Sequence, residues 1–391
     1  MNLGGLAIES GDFPLSQVHL MPDVLRWGEV SRPGLDTVLA AYVAFVSAEL
    51  GCALRDCEHQ NDALARNLAA KLQTLPSADF RRVVLAPDFT YRLLWRHPDR
   101  IQRVSDFLDK ALHVEGVISG REPADCDAWT ALGDARILQS GEILRGVNIP
   151  GLPPLDLDSP NVMRDVRTGE FPSVCGNDPV QLRSLNNDVR PVVIDRMTTA
   201  WREISATSKL VADFVSNFVQ VIVLQNDDTR AKFSSGSNRR YIGGVVIKNP
   251  HSECASAIKL AEAMVHEATH ALLYMALYTV PWGADNNHAY ANLGRIVSPW
   301  TGAQLKASSF VQACFVWYGL LHFWSLALRL QTVEGMDEAR RCMARALSGF
   351  VGSPLLDNLC SEDRKIVRDD VSNAIETMQS RVTACFGDGL P

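Results

Sequence analysis

Apolar residues recur at helical spacing through the first third of the chain. Leu35, Val38, Leu39, Tyr42 and Val43, then Leu64, Leu68 and Leu72, predict helix over 33–75, with Asp36 as a possible N-cap. Similar patterns cover 78–97 and 99–113. From 141 to 190 the periodicity stops. The runs "NIPGLPPLDLDSPNV" and "RTGEFPSVCGNDPV" are rich in proline and read as an extended connection. A helix over about 190–217 follows, then strands at 218–225 and 241–248, separated by the turn-rich "KFSSGSNRR". Next come a long helix from 250 or 252 to about 278, a loop to 299, and a long apolar helix over 307–332. Two helices, near 334–349 and 361–384, close the chain.

This order predicts an α+β fold, mainly α. Three segments are expected: a helical domain over 1–140 that serves as scaffold or in peptide recognition, the connection over 141–190, and a catalytic domain over 191–391. At 391 residues, more than one core is the natural expectation. Apolar residues make up 47% and charged residues 21%, so disorder is excluded as the state of the whole chain. A net charge of −7 leaves no basic excess to displace counterions, which argues against nucleic acid as a partner. No signal peptide and no membrane span are expected, 310–330 reading as a buried core helix because Gln312, His322 and Arg329 interrupt it. Nine scattered cysteines without a C-x-x-C pair fit reduced thiols in a cytoplasmic protein better than a disulfide framework.

The chemistry is concentrated in "AEAMVHEATHALLY". His266 and His270 are four residues apart, so on a helix they stand on one face and can grip one cation. Glu267 is turned about 100° from His266 and reaches a metal's surroundings more readily than the metal itself. The strand, turn, strand and helix order suits a zincin-like half, with a small β-sheet beside the His-Glu-x-x-His helix. The two common peptidase classes lack their third ligand. Leu273 and Ala276 stand where a metzincin needs glycine and histidine, and no glutamate occurs between Ala268 and Val333. The remaining candidates are Asp285, His288, Gln312 and His322, of which His322, a lone histidine in an apolar helix, is the expected ligand.

Three runs together, "RAKFSSGSNRRYIGGVVIKNP", "AEAMVHEATHALLY" and "SPWTGAQLKASSFVQACFVWYGLLHFW", resemble the HExxH-motif family of peptide-modifying enzymes. The resemblance spans about 200–330, with a weaker echo at "IPGLPPLDLDSP". It implies an iron(II)- and 2-oxoglutarate-dependent dioxygenase, an oxidoreductase that hydroxylates a side-chain β-carbon in a ribosomally made precursor peptide. His266 and His270 carry over as metal ligands. The chain departs from the family after Pro299-Trp300, where arginines give way to Thr301-Gly302 and Lys306 is the first cation, and at Gln312, often histidine in relatives. A keto acid's distal carboxylate needs a cation or hydroxyls. Lys306, Arg295 and Arg240 are the candidate cations, with Ser235 and Ser308 as hydroxyl donors. Trp300, Phe315 and Trp317 are candidates for an apolar lining. Two other readings remain open: a zinc peptidase with Glu267 as general base, and a non-catalytic peptide-binding scaffold.

Overall fold

The computed structural model describes residues 17–95, 97–165, 182–229, 232–279, 282 and 295–386. Helices α1 (Met21–Val24), α2 (Ser31–Gln60), α3 (Asp62–Thr74), α4 (Ser77–Val84), α5 (Pro87–Leu94) and α6 (Arg100–Ile118) come first. Strands β1 (Ala128–Trp129), β2 (Ala135–Ile137), β3 (Ile143–Arg145), β4 (Leu155–Asp156) and β5 (Leu182–Arg183) follow. Helices α7 (Arg190–Thr207) and α8 (Lys209–Phe218) lead into β6 (Val221–Asp227), β7 (Ser234–Ser237) and β8 (Gly244–Lys248). The last part holds α9 (Ala257–Thr279), β9 (Arg295–Val297), β10 (Gln304–Lys306), α10 (Ala307–Leu330), α11 (Met336–Ser348), α12 (Ser361–Ile366) and α13 (Asp369–Phe386). The fold is α+β and mainly helical, as the pattern implied.

Several expected helices are broken, each for a local reason. The helix over 33–75 stops at Asn61, whose side chain accepts from the Leu64 N–H at 3.1 Å and caps α3 instead. Asp36 lies inside α2, which starts at Ser31, so it is no cap. Pro87 has no N–H to continue a helix, and the run over 78–97 divides there into α4 and α5. Ser208 separates α7 from α8, its hydroxyl accepting from the Val211 N–H at 3.3 Å.

The chain forms two compact units, and they do not follow the expected segments. Among the described residues, one takes in those of 43–198 and 215–256; the other gathers those of 17–42, 199–214 and 257–386. A 30-residue helix such as α2 runs about 45 Å, and its two ends belong to different units.

The first unit holds two sheets. β1, β2 and β3 make an antiparallel meander. The larger sheet has the order β4-β6-β8-β7, with β5 paired to β6. β6 and β8 run parallel, Val221 opposite Gly244 through Gln225 opposite Lys248. Val221, Ile222, Val223 and Leu224 are all buried, the continuous apolar run of a strand covered on both faces. The 141–190 segment is therefore more than a connection: it supplies β4 and β5 to this sheet. "KFSSGSNRR", read as turn, contains β7, antiparallel to β8.

The second unit is built on α10, which packs against α9, α11 and α13. Phe310, Phe315, Tyr318, Phe323 and Trp324 along it are fully buried. By length and composition Ser31–His59 and Ala307–Leu330 are both apolar enough to cross a bilayer, where the sequence reading expected no such segment. Two thirds of the apolar 18-residue window within α10 is buried inside the protein, as a core helix requires. The eight described cysteines are all free thiols.

Candidate metal centre

From Leu260 to Ala276, α9 is buried at every position except Glu262, His266, His270 and Tyr274. Four residues advance a helix by about 400°, so these side chains form one slowly drifting stripe. The helix is thus core on all sides but one, and the open side carries both histidines. Glu267, next in sequence to His266, is only 3% exposed and faces the core side.

The imidazole centroids of His266 and His270 are 5.0 Å apart, with the rings tilted 58°. Two imidazoles sharing one cation through bonds of about 2.1 Å have centroids about 4.5–5.2 Å apart at ordinary ligand angles. The pair fits that requirement. Neighbours hold each ring. Trp317 on α10 meets His266 edge-to-face at 6.0 Å. His270 Nδ1 lies 3.2 Å from the Gln312 carboxamide oxygen, also on α10, and its ring stacks with Tyr274 at 5.8 Å. Burial pushes the His270 pKa down to about 4, His266 adding to the effect while Glu267 and Gln312 oppose it. Near neutral pH the ring is therefore uncharged, the form that ligates metal.

At the other end of the stripe, the Glu262 carboxylate is taken by Arg345 on α11 and by Trp324 Nε1, the latter at 3.0 Å. The Arg345 guanidinium also lies 5.2 Å above the Trp317 ring. Trp317 in turn stacks with Trp300 at 6.0 Å and 13°. Trp300 donates to the Ala346 carbonyl at 3.0 Å and meets Phe350 at 5.3 Å. Helices α10 and α11 and the β9–β10 hairpin are thereby tied together behind the two imidazoles. A Cβ on Gly349 would come within 2.2 Å of the Trp300 indole, so this packing depends on glycine there.

The hairpin carries two of the expected cations. Arg295 and Lys306 are direct cross-strand partners, both exposed, and among the described residues neither forms an ion pair. Like charges set opposite each other cost stability, and an anion between them would remove that cost. Lys306 leads directly into α10, at the end where backbone N–H groups favour negative charge. Ser308 is on the same helix one turn before Gln312.

The remaining expectations fare differently. His322 is on α10 too, but ten residues past Gln312, about 15 Å along the axis and turned about 80° from it. Its ring meets Tyr318 at 4.5 Å and Phe386 at 6.1 Å, and Arg26 and Arg381 are near enough to help burial press its pKa down to about 4. The structure does not bring it to His266 and His270, and among the described residues no three His, Cys, Asp or Glu side chains gather to hold a metal. Asp285 and His288 lie outside the described residues. Arg240 and Ser235 belong to the other unit. The Arg240 guanidinium sits 4.1 Å over the Trp95 ring, and Ser235 is paired with Ile247 in the sheet.

Sequence reasoning missed Glu262, Tyr274 and Arg345 as parts of this site. The first two were visible in principle, since they extend the His266–His270 spacing by one step each way. Compared with protein-family models the chain matches none, and it matches none of the curated proteins.

Proposed function

We propose that the chain is an iron(II)- and 2-oxoglutarate-dependent oxygenase that hydroxylates a side-chain β-carbon in a ribosomally made precursor peptide. The observation that carries the reading is one constellation within one unit. Two imidazoles stand at metal-sharing distance, and Lys306 and Arg295, two cations with no ion pair among the described residues, sit on the hairpin that feeds the helix bracing one of them. His266 and His270 would hold the iron. When bound with the keto acid, it supplies the oxidant: one atom of dioxygen enters the peptide C–H bond, the other leaves in succinate, and carbon dioxide is released.

The protein's share is placement and exclusion. Lys306 and Arg295 give the distal carboxylate of 2-oxoglutarate two charges, and the start of α10 adds its N–H groups. From Ala307 to Gln312 the helix rises about 7.5 Å, comparable to the length of an extended five-carbon diacid. Trp317 and Trp300 give the His266 side an apolar wall, which limits water at the reacting centre. Glu267, 3% exposed, is near enough to His270 to oppose the lowering of its pKa. The absence of a glutamate between Ala268 and Val333 is what favours the oxygenase over a gluzincin-type peptidase. The peptide as substrate comes from the resemblance to peptide-modifying enzymes over 200–330.

The test is turnover of anaerobically purified protein supplied with iron(II), 2-oxoglutarate, oxygen and candidate precursor peptides. One added oxygen per peptide, matched by succinate and absent without the keto acid, is the expected result. Peptide cleavage that needs neither iron nor keto acid would decide for the zinc peptidase.

A further inference from the structure

We infer that Gln312 is the residue that sets the tautomer and ring orientation of His270, leaving the Nε2 lone pair to face the cation. The inference rests on the metal reading above but concerns a separate property of the chain. A carboxamide oxygen can only accept a hydrogen bond. With the Gln312 oxygen 3.2 Å from His270 Nδ1, the bond forms only if Nδ1 carries the proton. A neutral imidazole has one N–H, so Nε2 is then the bare nitrogen. The opposite tautomer would leave two acceptors facing each other at Nδ1 and would block Nε2 with a proton.

The contact is long-range, 42 residues apart in sequence, and α10 makes it specific. Phe310 and Phe315 flank Gln312 and are fully buried, so the helix cannot rotate without exposing them. Tyr274, stacked with the His270 ring, restrains it from the next turn of α9. Histidines that ligate metals usually donate their second N–H to a carbonyl or carboxylate, and loss of such a partner costs about 10–100-fold in metal affinity. Gln312 fills that position, so it acts as a positioning residue, its oxygen engaged by His270 rather than by the metal.

The experiment pairs nitrogen-15 NMR of the imidazoles in metal-free protein with cobalt(II) titration. In the unaltered protein His270 is expected as the Nδ1–H tautomer. Gln312→Leu should yield a tautomer mixture and bind cobalt about 10–100-fold more weakly, while Gln312→Glu, which keeps an acceptor, should retain both properties. Gln312→Met serves in place of the leucine variant if that one does not fold. An Nε2–H tautomer in the unaltered protein, or equal cobalt affinity in Gln312→Leu or its methionine substitute, overturns the inference. Absence of cobalt binding in the unaltered protein with the Nδ1–H tautomer intact would instead defeat the metal reading alone.

Discussion

His322→Leu separates a buried core histidine from a metal ligand, and its consequences can be worked out from the structure. Among the described residues His322 Nε2 is buried without a hydrogen-bond partner. Its surroundings are the Tyr318 and Phe386 rings and the charges of Arg26 and Arg381, the second of these paired to Asp23 at 2.7 Å. A leucine of similar volume removes an orphaned polar atom, so near pH 8 the variant should be equal to the unaltered protein or about 1 kcal/mol more stable. The acid side is more informative. Burial, then the two arginines, lowers the folded pKa from 6.5 to about 4. The unfolded chain therefore binds a proton that the folded chain refuses. Stability is lost as pH falls through 6.5 and levels off below 4, by about 2 kcal/mol at pH 5 and about 3 kcal/mol in total. His322→Leu should escape that share of the loss. Urea unfolding of both proteins between about pH 8 and 4.5 reads the difference directly. Parallel stability curves would refute the burial argument. Loss of cobalt binding in His322→Leu would show that this histidine is a ligand after all.

The other expectations concern the proposed site. His270→Ala should lower cobalt affinity by at least about 100-fold, because two ligands on one turn bind as a unit; full retention by isothermal titration would remove the basis of the metal reading. Lys306→Ala and Arg295→Ala should each raise the half-saturating 2-oxoglutarate concentration by about 10-fold, the value of one charge-assisted hydrogen bond. Succinate release that saturates unchanged in both would move the anchor off the hairpin. Glu267→Gln should keep the metal and reduce hydroxylation only in part, whereas total loss of activity with metal bound would fit a general base. Gly349→Ala should cost about 1–3 kcal/mol in urea unfolding, because the added methyl meets the Trp300 indole; an unchanged midpoint would mean that the indole moves freely.

What the sequence determined by itself is the machinery of single helices. The four-residue spacing of His266 and His270 puts both imidazoles on one stripe of α9 before any packing is known, since helix geometry is local. The apolar runs that became β6 and α10 were equally legible, because burial on all sides needs apolar residues on all sides. Short edge strands were not: β7 is Ser234–Ser237, and β9 and β10 are three residues each, too short or too polar to alternate. Nor was the choice between Gln312 and His322. Both sit in a helix whose apolar pattern runs all the way round, so nothing in the run says which side meets α9. Only the packing of α10 against α9 decided it, seating Gln312 on His270 and carrying His322 about 15 Å away to Tyr318 and Phe386. The pairing of Arg295 with Lys306 was likewise a matter of strand register, a relation between segments that no single stretch of sequence contains.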